Sequence, residues 1–177
     1  MKNFLIILVT FSFLLVSCNS KPSLEKYFVD NSENKNFLQF DLSSNLLNVD
    51  KTKLSQSEKI ALKSFDKMNI LAFKINDKNK LHFEVERNKV TDILKDNKYQ
   101  QLMKFNSGKQ GAQVSYVGDD DHISEFVVFG NKQENGFAIV RVLGKNMNPN
   151  AIISMLNVLK NSNIDMEQLK PLKELLK

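Results

Sequence analysis

This sequence predicts an α+β fold: a mainly antiparallel sheet of about four to five strands, ending in a three-strand meander, with helices packed on one face. Three observations predict it. Three apolar segments follow one another closely, Ala112 to Val117, Ile123 to Phe129 and Phe137 to Leu143, separated by short polar turns that suit antiparallel hairpins. Other stretches repeat their apolar residues at helical spacing instead. The chain carries no internal repeat, which points away from a solenoid or propeller.

Taken in order, Leu24, Tyr27 and Phe28 follow Ser23, a helix N-cap, and predict one short helix. Phe37 to Leu42 is aromatic and aliphatic enough for a first strand, and Leu46, Leu47 and Val49 touch the core beyond it. Ser55-Gln56-Ser57-Glu58 is a capping box, in which a serine hydroxyl and a glutamate carboxylate satisfy each other's backbone donors. Ala61, Leu62, Phe65 and Met68 supply the buried stripe of the helix it opens. Ile70 to Ile75 then reads as a strand, closed by the turn Asn76-Asp77-Lys78-Asn79. Phe83, Val90, Ile93 and Leu94 form a second stripe, continued past a polar break by Tyr99, Leu102 and Met103 as one long helix that Gly108 and Gly111 end. After the meander, Asn148-Pro149 caps a last core helix faced by Ile152, Met155, Leu156 and Leu159. Leu169, Leu172 and Leu176 predict an amphipathic tail.

The first residues have a different logic. Lys2 gives a positive start, Phe4 to Leu15 is an apolar run broken only by Thr10 and Ser12, and Ser17 stands before the one cysteine of the chain. That is the layout of a secretory signal. The run is too short to cross a bilayer, which takes about 20 residues as a helix. A small residue before the sole cysteine resembles a lipobox, which implies cleavage between Ser17 and Cys18 and lipidation of the Cys18 thiol. The expected organisation is a signal over 1–17, a lipidated cysteine and tether over 18–22, a domain over 23–162 and a tail over 163–177. The expected partner is therefore the membrane, through the anchor, in the cell envelope. With Cys18 alkylated no thiol is left, so stability must come from packing.

The net charge of +5 includes Lys2, and the excess is spread along the chain. Nucleic-acid binding needs a concentrated basic stripe, and none is present. The densest group of metal-ligand types is Asp119-Asp120-Asp121-His122. It lacks the glycine and glutamate of a calcium loop and sits after Gly118 between two strands, so a hairpin turn is the preferred reading over a cation site. His82 is the only other histidine, no serine sits in a Gly-x-Ser-x-Gly elbow, and no catalytic or cofactor-binding residue is expected. Glu84, Glu86 and Asp92 read as solvated helix carboxylates. Glu125 and Arg141 each interrupt an apolar strand, and a hairpin folded symmetrically about Asn131 to Asn135 sets them opposite each other as a structural ion pair.

Several stretches together resemble a known family: Tyr99-Gln100-Gln101-Leu102-Met103, His122-Ile123-Ser124-Glu125-Phe126-Val127-Val128, and the glycine-bounded Gly136 to Gly144. Over about Ser23 to Lys160 they are similar to domain-of-unknown-function family 4252, small exported proteins and lipoproteins of Bacteroidota. The resemblance brings no reaction with it. It implies export to the envelope and a regulatory setting near alternative sigma factors. It also implies an outer-membrane position facing the periplasm, because Asn19-Ser20-Lys21-Pro22-Ser23 lacks the acidic residues that follow the cysteine in surface-exposed lipoproteins of these bacteria. The expected role is a non-catalytic interaction module with an envelope protein or regulator as partner. The alternatives are a carrier of an apolar or lipid ligand, suggested by thirteen phenylalanines, and, with least support, an envelope hydrolase.

Replacing the acceptor thiol tests the anchor: Cys18→Ser is expected to shift the protein from the membrane to the soluble fraction or to leave an uncleaved precursor. A membrane fraction of unchanged amount and normal size would overturn the lipidation reading.

Overall fold

The computed structural model describes residues 21–46, 49–120, 122–150, 154, 155 and 158. The signal, Ser17, Cys18, Leu47, Asp121, Ile152, Leu156, Leu159 and the tail over 163–177 lie outside them. The elements in chain order are α1 (Leu24–Asp30), β1 (Phe37–Ser43), two short 3-10 turns (Ser44–Leu46 and Lys51–Lys53), α2 (Gln56–Ser64), β2 (Phe65–Lys74), α3 (Lys80–Ile93), β3 (Gln100–Ser107), β4 (Gln110–Asp119), β5 (His122–Lys132) and β6 (Gly136–Met147). Pro149, Asn150, Ser154, Met155 and Val158 are helical as well. Among the described residues no helix is long and apolar enough to cross a membrane.

The strands form one antiparallel sheet in the order β1-β2-β6-β5-β4-β3. Six strands exceed the expected four to five, and the C-terminal meander has four strands rather than three. The extra strand is β3, which occupies the segment expected to finish the long helix. That helix stops at Ile93 because the polar break folds into a turn: Tyr99 N–H donates to the Asp96 carbonyl at 2.9 Å and Lys98 N–H to the Asp96 carboxylate at 3.0 Å. From Gln100 the backbone pairs with β4 instead. A similar exchange occurs after α2, whose capping box forms as expected, with the Ser55 hydroxyl accepting from Glu58 N–H and Glu58 accepting from Ser55 N–H. Phe65 and Met68 are buried by β2 rather than by that helix, because β2 finds ladder partners on both sides, β1 and β6.

Strand alternation divides the apolar residues between two faces. Leu71 and Phe73 of β2, Val127 and Phe129 of β5, and Phe137 and Ile139 of β6 pack on one face beneath α1 and α3, against Leu24, Tyr27, Phe28, Phe83, Val90 and Ile93. Met68, Ile70 and Phe126 point the other way and pack with Ala61 and Leu62 of α2 and with Met155 and Val158. Helical residues therefore cover both faces, where one was expected. The cause is that β2, β5 and β6 are apolar on both sides of the pleat, so each face needs its own cover. α3 carries the chain over the first face from β2 to the far edge at β3.

Phe137 is the centre of the first core, stacked on Phe73 with ring centroids 5.4 Å apart and meeting Phe37, Phe83 and Phe129 at 5.9 to 6.2 Å. Phe137→Ala is expected to lower the unfolding free energy by about 3–5 kcal/mol, whereas Phe105→Ala on exposed β3 should change it by less than about 0.5 kcal/mol. Urea titration of both variants checks this, and near-equal effects would overturn the assignment of the core.

Candidate functional site

Three features have the makings of a site: a buried ion pair under α1, a groove beside it, and two apolar rows that run from the second core out to β3. The ion pair comes from the β5–β6 hairpin. Arg141 Nε donates to Glu125 Oε1 at 2.6 Å, and the two residues are only 4% and 7% exposed. Their register differs from the expected one: Arg141 lies opposite Val127, and Glu125 opposite Leu143. The turn is closed by Lys132 and Gly136, which centres the hairpin on Glu134 rather than Gln133. The pair is diagonal, a separation that two long side chains span.

Arg141 also reaches α1. Its Nη2 is 3.6 Å from Glu25 Oε1, and its guanidinium carbon lies 5.4 Å from the centroid of the Phe28 ring. Among the described residues Nη2 has no hydrogen-bond partner. Burial alone draws the Arg141 pKa down, but the Glu125 hydrogen bond and charge, helped by Glu25 and Tyr99, carry it above the ordinary arginine value. The guanidinium is held charged. Beside it the Tyr99 hydroxyl accepts from Leu24 N–H at 3.4 Å, and burial, then the Glu125 charge, raise the tyrosine pKa. With its carboxylate engaged by Arg141, Glu125 holds the guanidinium that meets α1 and has little freedom to act as a general base.

The groove lies between α1 and α3 and opens to solvent, with a volume of about 900 Å³. Lys21, Pro22 and Ser23 line it together with both helices. Its walls alternate in charge through the pairs Lys26–Asp30, Lys89–Glu86 and Lys95–Asp92 at 3.2, 2.7 and 2.7 Å. Glu86, expected to be solvated, instead accepts from the Tyr27 hydroxyl at 2.8 Å. Burial and then Glu86 push the Tyr27 pKa far above its ordinary value, so this hydroxyl stays protonated and donates. Glu86 was legible: it follows Phe83 by three residues and precedes Val90 by four, which places it on the buried stripe of α3. Glu84 pairs with Arg87 on the exposed side.

The acidic segment is a turn between β4 and β5, where Asp119 faces His122 across the ladder and Asp120 accepts from the Tyr116 hydroxyl at 2.8 Å. That hydrogen bond is the main reason the Tyr116 pKa is raised. At Gly118, with φ +118°, a Cβ would stand 2.5 Å from the His122 carbonyl oxygen, so the turn requires glycine. Asp121 lies outside the described residues, and among those described no three of His, Cys, Asp and Glu converge on a metal position. His82 is exposed on α3.

On the second face the registers align two apolar rows across all six strands. One row is Phe40, Ile70, Val140, Val128, Val114 and Met103, and the next is Leu38, Ala72, Ala138, Gly130, Ala112 and Phe105. A shallow depression of about 250 Å³ lies along the outer part of the second row. Both rows end on the edge strand β3, where Leu102, Met103 and Phe105 are 49%, 62% and 55% exposed. Reading this segment as helix concealed that edge; the alternation of Met103 with Phe105 is the signal that exposes it.

The ion pair makes a quantitative test possible. Arg141→Met alone is expected to cost about 3–5 kcal/mol, because it leaves Glu125 buried and unpaired, while Arg141→Met combined with Glu125→Leu should recover most of the loss. A double-mutant cycle in urea measures the coupling, and additive losses would overturn the account.

Comparison with curated proteins and with solved structures gave no match. The sequence profile of the domain of unknown function DUF4252 matches residues 27–173, which takes in every strand, α2 and α3, and all but the first turn of α1. The chain belongs to the DUF4252 family.

Proposed function

We propose that this protein is an envelope lipoprotein, anchored through Cys18, that works as a non-catalytic interaction module and meets a protein partner along β3. The observation that supports the reading is the exposure of β3: all eight of its residues are exposed, three of them large and apolar, and among the described residues one side of its backbone ladder is unpaired. An open edge of this kind is a template for strand addition, in which backbone hydrogen bonds give affinity and alternate side chains give specificity. Met103 and Phe105 both lie on the face of the two apolar rows, so an added strand with apolar residues at matching positions extends those rows. The outer-membrane, periplasm-facing position and the envelope protein or regulator as partner are part of this proposal. A lipid-carrying role draws no support from the groove under α1, whose walls are charged.

The test is photocrosslinking in the native envelope with benzoylphenylalanine in place of Phe105, and in place of Ile60 on exposed α2 as control. A discrete protein adduct specific to position 105 is expected, falling roughly tenfold with Met103→Asp, the size of a modest interface hot spot. Equal labelling at both positions, or an adduct indifferent to Met103→Asp, would overturn the proposal.

A further inference from the structure

The groove between α1 and α3 gains a meaning from its place in the chain. Lys21 is three residues from Cys18 and lines the groove, and at most ~3.6 Å of chain per residue puts its Cα within about 11 Å of the Cys18 Cα. The start of α1 is fixed to the domain: Ser23 caps it by accepting from Lys26 N–H, Leu24 is fully buried, and Leu24 N–H donates to the Tyr99 hydroxyl. The domain therefore has little slack with which to turn another side toward whatever holds Cys18.

We infer that the groove mouth is the surface of this domain that contacts the phospholipid headgroups, with Lys21, Lys26, Lys89 and Lys95 engaging lipid phosphates. The inference rests on the proposed lipidation of Cys18. A diacylglyceryl group on that residue sets the Cys18 Cα at the glycerol level, and the reach to Lys21 is then comparable to the headgroup layer, roughly 5–8 Å on each side, and to the Debye length, about 8–10 Å. Lys26 and Lys95 hold Asp30 and Asp92 through pairs exposed on both sides, weak enough for an ammonium to exchange its carboxylate for a phosphate, while Lys89 is exposed but its partner Glu86 is part-buried. The alternation of signs makes the groove no strong attractor of anions. The tether supplies the local concentration that the charges do not, and the charges select the orientation.

Lys21 and the start of α1, the part of the groove next to Cys18, lie at the Tyr99 end of the strands. Tyr99 adjoins Gln100, which lies on the row of Tyr116, Phe126 and Val142, whereas the β5–β6 turn precedes Gly136. Six residues along β6 separate the two levels, about 20 Å at 3.4 Å per residue. Phe105 lies near the level of that turn, on the row of Ala138, away from the end where the chain enters from Cys18.

Once Cys18 is alkylated, an introduced cysteine is the one free thiol, so single labels are clean. The full lipidated chain carrying Lys95→Cys or Glu134→Cys is labelled with a fluorophore. It is then reconstituted in vesicles of phosphatidylethanolamine and phosphatidylglycerol containing a headgroup-spin-labelled phospholipid. Quenching several-fold greater at position 95 than at 134 is expected, with the difference narrowing at high salt. Equal quenching at both positions in vesicle-bound protein would overturn this inference and leave the anchor standing. Protein recovered free of vesicles would overturn the anchoring proposal and this inference with it.

Discussion

Strand β6 has to fit between β2 and β5 while burying side chains on both faces, and the rest of the fold is built around that fit. Its start is set by Gly136, where φ is +126° and a Cβ would stand 1.8 Å from the Phe73 carbonyl oxygen. Only glycine lets the two strands approach there, and the register Lys74 opposite Gly136 follows. Because side chains alternate with a period of two, a slip of one residue would send Phe137 and Arg141 to the second face and Val140 toward Glu125. One close contact thus places the aromatic cluster, the ion pair and the apolar rows together.

The ion pair shows what that placement achieves. Two charges taken out of water cost several kcal/mol each before their attraction is counted, so a methionine and a leucine of similar volume would serve stability nearly as well. What they would not supply is the positive charge that meets Glu25 and the Phe28 ring of α1. A helix of seven residues is far below the length that holds together alone in water, roughly 12–15 residues. It persists here through Leu24, Tyr27 and Phe28 in the core, through the Phe28 ring over Arg141, and through the Tyr99 hydroxyl at its first turn. Glu25 and Glu125 approach the same guanidinium from helix and strand.

The sequence was most legible where structure is decided locally. The Ser23 cap, the Ser55–Glu58 capping box, the Asn76–Asn79 turn and the apolar runs of β4, β5 and β6 between short turns all depend on residues a few positions apart, and each forms as those residues dictate. Legibility failed where distant partners decide. Tyr99, Leu102 and Met103 fit a helical stripe as well as a strand with a bulge at Leu102, and the pairing of β3 with β4 settles the matter. Phe65 and Met68 likewise satisfy either spacing until β1 and β6 arrive on both sides. Glu125 and Arg141 were visible as charges in apolar strands, yet their offset depends on a turn centred one residue later than symmetry about Asn131 to Asn135 implies. For the candidate surfaces, the acidic turn was readable from Gly118 and its aspartates, whereas the groove needs α1 and α3 side by side, which no local pattern encodes.

The edge at β3 poses a physical problem, since exposed apolar strands invite copies of the same chain to pair with them. Two features of β3 oppose this. The bulge at Leu102 breaks the ladder register, and Lys104 is the one charged residue in the strand. If two copies paired antiparallel about Lys104, Met103 would face Phe105 favourably, but the two ammonium groups would stand directly opposite, a destabilising arrangement. A strand of another protein bearing a carboxylate at that position turns the same repulsion into attraction while keeping the apolar contacts. Under the proposed strand addition, the edge would be selective by subtraction: its apolar residues would supply binding energy to an added strand, and Lys104 would withdraw it from the protein's own copy.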